Sequence, residues 1–291
     1  MNPVERILAV VGGGAAGLAG AIAAARVLEA AGAGDSVRVV VLEKGDRVGR
    51  KILATGNGRC NLGNARIEPN RYHGEDPRFA EPLLHAWPTE RILAFFRSIG
   101  LLFHTEEDGK IYPMSLSAAS VLDLLRLEMA RLGVEERCGF PVAALRPVPE
   151  GLFRLSAPDG RSLFAHRVLV AAGGCAHPAL GSDGSGHALL VSVGHRLVEP
   201  FPALVQLRCE PERVRSLQGQ KVDAAVTLVA GDRRLREEFG EVLFTEYGLS
   251  GPPVLQVSRL AAGALREQPD REVRVWLDLL PDTPLPAWEA T

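Results

Sequence analysis

Residues 6–32, RILAVVGGGAAGLAGAIAAARVLEAAG, decide the fold. The first six residues form a short apolar run of the kind that makes a strand buried on both faces. The alanine-rich tail reads as a helix that closes near Gly32, a C-cap glycine. On hydropathy alone the stretch could imitate a membrane helix, but the glycine triplet interrupts it where a strand must turn into a helix. After the turn AGDS comes VRVVVLE, residues 37–43, a second buried strand ending in Glu43. The order is strand, glycine turn, helix, strand, acid.

Within that order Gly12, Gly14 and Gly17 satisfy G-x-G-x-x-G. The first glycine permits the tight turn, the second lets a diphosphate approach the backbone, and the third lets helix and strand pack closely. A lone motif of this kind in an Ala/Gly-rich chain reads equally as a flexible start to a helix. Its context favours a dinucleotide site, because Glu43 stands 26 residues after Gly17 (43 − 17), at the end of the next strand, where a carboxylate can accept ribose hydroxyls. The fingerprint does not separate FAD from NAD. An acid rather than an arginine at position 43 disfavours a 2′-phosphate.

The run GRKILATGNGRCN, residues 49–61, cannot bury itself. Thr55, Gly56, Asn57 and Gly58 offer closely spaced N–H groups and small side chains, the material of an anion-binding nest or of backbone that must approach a flat ring. A surface loop of routine turn residues is the plain alternative. Its place just beyond the ribose acid favours a chain that runs back across a bound dinucleotide.

Farther on, PTERILAFFRSIG (88–100) is a proline-opened helix and EEDGKIYP (106–113) carries an Asp-Gly hairpin turn. SLSAASVLDLLRLEMARLG (115–133) offers a serine cap and an amphipathic stripe. PVAALRPV, LFRLSAP and HRVLVAAGG, within residues 141–174, read as an antiparallel meander returning to a central strand. From about residue 198 prolines and strand-like runs dominate: ALVQLRC, DAAVTLVAG, EVLFTEYG, PVLQVS and REVRVWLDL. The proline-rich LLPDTPLPAWEAT, residues 279–291, does not read as the end of a packed element.

The 291 residues carry a formal net charge of −2, with 46% apolar and 23% charged residues, which is ordinary globular chemistry. No global attraction to nucleic acid or an anionic membrane follows, so any polyanion site is local. Arg47, Arg50, Lys51, Arg59, Arg66 and Arg71 make one such local cationic stretch. Cys60, Cys138, Cys175 and Cys209 show no C-x-x-C or metal-ligand spacing, so free thiols in a reduced cytoplasmic chain are expected, and no metal. A redox pair of Cys60 and Cys175 is the weaker reading. His177, His187 and His195 match no metal motif and read as loop residues.

Together GGGAAG, LEKGDRVGRKILATGNGRCNLGN, VLVAAGG, GSDGSGHALLVSVGH and GEVLFTEYGLSGPPVLQVS resemble the HI0933/YhiN-like family of bacterial FAD-binding flavoproteins, also labelled NAD(P)/FAD-dependent or aminoacetone-oxidase-like. The resemblance covers nearly the whole chain. It implies an α/β fold: residues 1–196 as a Rossmann-like FAD-binding domain with a parallel sheet, helices and an antiparallel meander, and residues 197–291 as part of an inserted mainly-β substrate domain. It further implies Gly12, Gly14, Ala16 and Gly17 at the pyrophosphate, and Glu43 with Lys44 at the adenosine ribose. Arg50, Lys51, Asn57, Gly58, Cys60 and Asn61 would follow along the pyrophosphate, ribityl chain and flavin. Val142 would meet the adenine through its backbone, and Ala172, Gly173 and Gly174 match the family's ATGG segment, with Ala172 replacing Thr. Where relatives read FTHYGLSGP this chain has Glu246, so any proton-transfer role of that His would fall to Glu246 or to nothing.

The activity so implied is an FAD-dependent oxidoreductase, with NAD(P)H as reductant and hydride passing through flavin N5 to a C=C or C=N bond of a small molecule. Relatives also suggest uracil in ribosomal RNA, reduced to dihydrouridine. No catalytic side chain is readable, because the hydride chemistry belongs to the cofactor. The family pattern continues beyond Thr291 with a returning glycine-rich segment, so a truncated relic or a fragment that binds FAD poorly and is inactive is the contrasting expectation.

Overall fold

The central strand is β1 (Arg6–Val11), which pairs in parallel with β2 (Val37–Leu42) on one side and with strand Arg167–Val170 on the other. Strand Glu135–Arg137 adds to β2, also in parallel. Val11 stands opposite both Leu42 and Val170, so the carboxyl ends of three strands share one edge. The computed structural model describes residues 6–74 and 76–281 of the chain. By its internal contacts it divides into two units, Met1–Leu197 and Val198–Thr291.

Alternation along these strands explains why they read as unbroken apolar runs. Val10, Val39 and Val41 face one layer and Ala9, Val11, Val40 and Leu42 the other, and both layers are apolar. The first layer holds helix α1 (Ala15–Ala30) and helix Ala118–Arg131, whose Val121, Leu122, Leu125 and Met129 are buried against it. The second is the antiparallel meander Ala144–Val148, Leu152–Ser156 and Ser162–Ala165, joined by Leu189 of helix Ser185–Ser192. The α/β architecture expected from the glycine turn and the meander is the one observed.

Helix α1 ends as its sequence reads. Gly32, at φ +64°, donates to the Glu29 carbonyl and Ala33 to the Leu28 carbonyl, a Schellman closure. Ser117 stands at the N-cap of helix Ala118–Arg131, but the expected side-chain cap bond is not made. The hydroxyls of Ser115 and Ser120 pair with each other instead. The two helices are joined by charge: Glu128 accepts from Arg131 Nε at 2.8 Å and from Arg26 Nε at 2.8 Å. Those two guanidinium groups, Arg131 foremost, hold the Glu128 carboxyl down at about 2.

The second unit is a five-stranded antiparallel sheet in the order Leu207–Arg208, Gly248–Ser250, Arg233–Thr245, Lys221–Ala230, Val273–Asp278. PVLQVS is not a strand: it opens the 16-residue helix Pro252–Glu267. Val254, Val257, Ser258, Ala261 and Ala264 are its buried residues, a helical spacing that six residues alone are too short to reveal. Prolines at its first two positions need no N–H partners, which favours a helix start over a sheet. Of ALVQLRC only Leu207–Arg208 is strand. The proline-rich end read at 279–291 lies, from residue 282 onward, outside the described residues.

Candidate nucleotide site

The glycines at the carboxyl edge of β1 are dictated by space. A Cβ on Gly12, which sits at φ +105°, would lie 2.6 Å from the Ala171 carbonyl oxygen and 2.8 Å from Ala172 Cα. One on Gly17 would fall onto the Gly12 carbonyl oxygen, and one on Gly13 would lie 2.6 Å from Val48 Cγ1. At Gly14, by contrast, nothing stands within 4 Å. Gly14 is also the N-cap of α1, no side chain caps it, and no acid occupies the first turn. Unpaired N–H groups at a helix start, reached through open space, are what an anion requires.

Glu43 is wired into this turn. Its Oε2 accepts from Gly13 N at 2.8 Å and its Oε1 from Gly45 N at 2.8 Å, while Gly49 N donates to the Gly13 carbonyl at 2.8 Å. The loop after β2 is thereby locked to the glycine turn. It leads into the short helix α2 (Arg50–Ala54) and the run that follows. There Gly56, Asn57, Gly58 and Cys60 all take positive φ, at 56°, 55°, 83° and 60°. Asn57 and Cys60 are two of only four non-glycine residues in that region among the described residues.

One cavity of about 660 Å³ opens at this edge. Of the residues the sequence pointed to, Gly12, Gly14, Ala16, Glu43, Lys44, Arg50, Lys51, Cys60, Asn61, Val142, Ala172 and Gly173 line it. Gly17, Asn57, Gly58 and Gly174 do not: Gly17 packs beneath the turn, and Asn57 and Gly58 shape the backbone next to Cys60. The walls reach both core layers, with Phe140 and Leu189 on one side of the sheet and Phe95, Val121 and Leu125 on the other. A polar middle between two apolar arms suits a molecule with a charged centre and ring systems at its ends.

Ser182 and Asp183, which the sequence reading quoted inside GSDGSG without assigning them, also line the cavity. Lys44 Nζ pairs with Asp183 Oδ2 at 2.7 Å and Lys51 Nζ donates to Ser182 Oγ at 3.1 Å. Lys44, with two bonds from Ser185, holds the Asp183 carboxyl far below the usual range. The glycines flanking Ser-Asp were the available signal for this second loop.

The cationic stretch separates by position. Arg47, Arg50 and Lys51 line the cavity, and none has an ion-pair partner among the described residues. Arg59, Arg66 and Arg71 are held by Glu106, the Glu107 carbonyl and Glu68 respectively. All four cysteines are free, with Cys60 buried and Cys175 exposed. Burial pushes the Cys60 thiol up, away from a reactive thiolate. Glu246 is exposed in the turn between strands Arg233–Thr245 and Gly248–Ser250 of the second unit. Among the described residues no helix is long and apolar enough to cross a membrane.

The chain is similar to known proteins. Over 275 residues the chain is 45% identical to a 3-dehydro-bile acid delta(4,6)-reductase of Clostridium scindens, covering 94% of this chain and 64% of that protein. A ribosomal RNA dihydrouridine synthase of Haemophilus influenzae is 26% identical over 277 residues, again 94% of this chain and 64% of the relative. The chain thus spans less than two thirds of the length of these curated relatives. The crystal structure of a 3-ketosteroid-delta4-(5alpha)-dehydrogenase from Rhodococcus jostii aligns with a TM-score of 0.50 at 17% identity, over 75% of this chain and 60% of that one, a likeness of fold. The family profile described as the HI0933-like protein Rossmann domain matches residues 6–266, from β1 through almost all of the helix Pro252–Glu267, and the chain belongs to that HI0933-like family.

Proposed function

We propose that the chain is the FAD-binding part of an oxidoreductase that reduces an activated C=C bond in a small, ring-bearing substrate. The observation that carries the cofactor is the uncapped N-terminus of α1 facing open space at Gly14, with Glu43 fixed beside it. The residues present fit a dinucleotide: α1, Arg50 and Lys51, the two cations having no carboxylate partner among the described residues, offer positive potential to a diphosphate. Each Glu43 oxygen already accepts one backbone N–H and keeps a lone pair for a ribose hydroxyl. Val142 and Phe140 form an apolar wall suited to adenine, and Cys60, Asn61 and Gly173 would stand along the remainder. When bound, FAD supplies the hydride, through N5, and NAD(P)H is the proposed reductant.

The substrate class rests on the 45% identity to a 3-dehydro-bile acid delta(4,6)-reductase. Reduction of uracil in ribosomal RNA is the second reading, supported by the relative at 26% identity. The test is to add FAD to the purified chain, remove excess, and add NADH or NADPH without oxygen. Retained FAD whose visible band bleaches, and then recovers with a 3-oxo-Δ4,6 steroid but not with unmodified ribosomal RNA, is the expected result. A chain that retains no FAD removes the cofactor reading.

A further inference from the structure

We infer that Arg59 is a positioning residue that holds the left-handed run at residues 56–60 in the shape the cofactor meets, an inference that rests on the FAD reading above. Residues 56–59 bury no side chain, and of the five only Cys60 reaches the core. Four of its five residues take positive φ, and Asn57 and Cys60 do so without glycine's freedom, a strain that persists only where surrounding contacts over-determine it. Its own backbone contributes two bonds, Arg59 N to the Gly56 carbonyl and Cys60 N to the Thr55 carbonyl.

Arg59, the one residue of the five outside the left-handed region, supplies the rest. Its Nε lies 3.4 Å from the Gly56 carbonyl, which caps the turn from outside. Its guanidinium carbon sits 4.2 Å from the centre of the Tyr112 ring, Nη2 donates to the Tyr112 hydroxyl at 3.3 Å, and Nη1 pairs with Glu106 at 3.2 Å. Tyr112 is buried and belongs to the hairpin of strands Phe103–Thr105 and Lys110–Pro113. One side chain therefore pins the strained turn to a rigid element by stacking, by a bond to its hydroxyl and by an ion pair. The next two residues in the chain, Cys60 and Asn61, line the cavity. Arg59 does not, so it acts through the backbone it fixes and not by touching the ligand.

Arg131 provides a control away from the cavity. It pairs with Glu128 and Glu29 across the seam of α1 and helix Ala118–Arg131, and none of the three lines the cavity. Arg59→Ala, Arg59→Lys and Arg131→Ala are compared by thermal melting, by FAD affinity from fluorescence quenching, and by the visible circular dichroism of bound FAD. Arg59→Ala is expected to weaken FAD about tenfold or more and to change the dichroism of the flavin band, with partial rescue in Arg59→Lys. Arg131→Ala should lower the melting temperature and leave affinity and dichroism unchanged. If Arg59→Ala lowers only the melting temperature, the inference is overturned. Should Arg59→Ala fail to fold, Tyr112→Phe tests the same clamp by removing one bond, and an unchanged flavin spectrum and affinity there overturn it as well. A wild-type chain that binds no FAD would overturn the cofactor reading and this inference with it, an outcome visible before any variant is made.

Discussion

The glycine turn at residues 12–17 and the left-handed run at residues 56–60 border the same cavity, yet different constraints dominate the choice of their residues. In the turn, glycine is required by crowding: added Cβ atoms at Gly12, Gly13 and Gly17 would meet backbone or buried side chain. In the run, Gly56 is crowded as well, an added Cβ meeting Asn61 N at 2.9 Å, but at Gly58, whose nearest neighbour is the Leu53 carbonyl at 4.0 Å, φ and not space is the limit. A site of the first kind is rigid because its neighbours leave no alternative. A site of the second kind is rigid only as long as something outside it bears on it, here the Arg59 clamp on Tyr112.

The sharpest way to break the comparison is a paired substitution in the turn. Gly17→Val is expected to cost about 3 kcal/mol or more, since its side chain overlaps the Gly12 carbonyl and the packed interface gives little. Gly14→Ala should leave stability within about 0.5 kcal/mol, because its Cβ enters open space at negative φ, while FAD affinity falls. Chemical denaturation and FAD titration separate the two, and equal losses of stability would contradict the crowding argument.

Smaller effects are expected in the run. Asn57→Ala should lower stability by about 1 kcal/mol, because alanine tolerates φ +55° poorly. Asn57→Gly should stay within about 0.5 kcal/mol, relief of strain being offset by the freer unfolded chain. Retention of FAD by Asn57→Gly would show that conformation, and not the amide side chain, is what position 57 contributes.

The last effect is one of pH, and it falls behind the turn and not behind the run. Glu128, with its side chain 10% exposed, is held at about 2 against an ordinary 4.5, by Arg131 first and Arg26 next. A carboxylate depressed by folding stabilises the fold above its unfolded value, and that contribution is lost as pH falls from about 4.5 towards about 2. Glu128→Gln should flatten the acid limb of the stability curve over that window. An unchanged limb would mean that other carboxylates govern acid unfolding.

Much of the site was legible because it is local. Gly12, Gly14 and Gly17 report their own steric demand through the motif, and Glu43 is placed by strand length alone. Ser182 and Asp183 were not legible as lining residues, since their approach to Lys51 and Lys44 spans more than a hundred residues of chain. Arg59 read as one cation among six, because neither charge nor spacing says which arginine will find an aromatic ring and a carboxylate. In the second unit PVLQVS was misread for a related reason: its apolar spacing is ambiguous over six residues, and burial against the sheet selects the helix.

By itself the sequence determined the β1–α1–β2 unit with its glycine turn and acid, because periodicity, glycine geometry and buried-strand composition all act between near neighbours. Tertiary structure alone decided how the cavity is closed and stiffened: by Lys44 on Asp183, Lys51 on Ser182 and Arg59 on Tyr112. Those pairings join residues 44, 51 and 59 to 183, 182 and 112, and only the packing of the sheet, its layers and the hairpin brings them within hydrogen-bond reach.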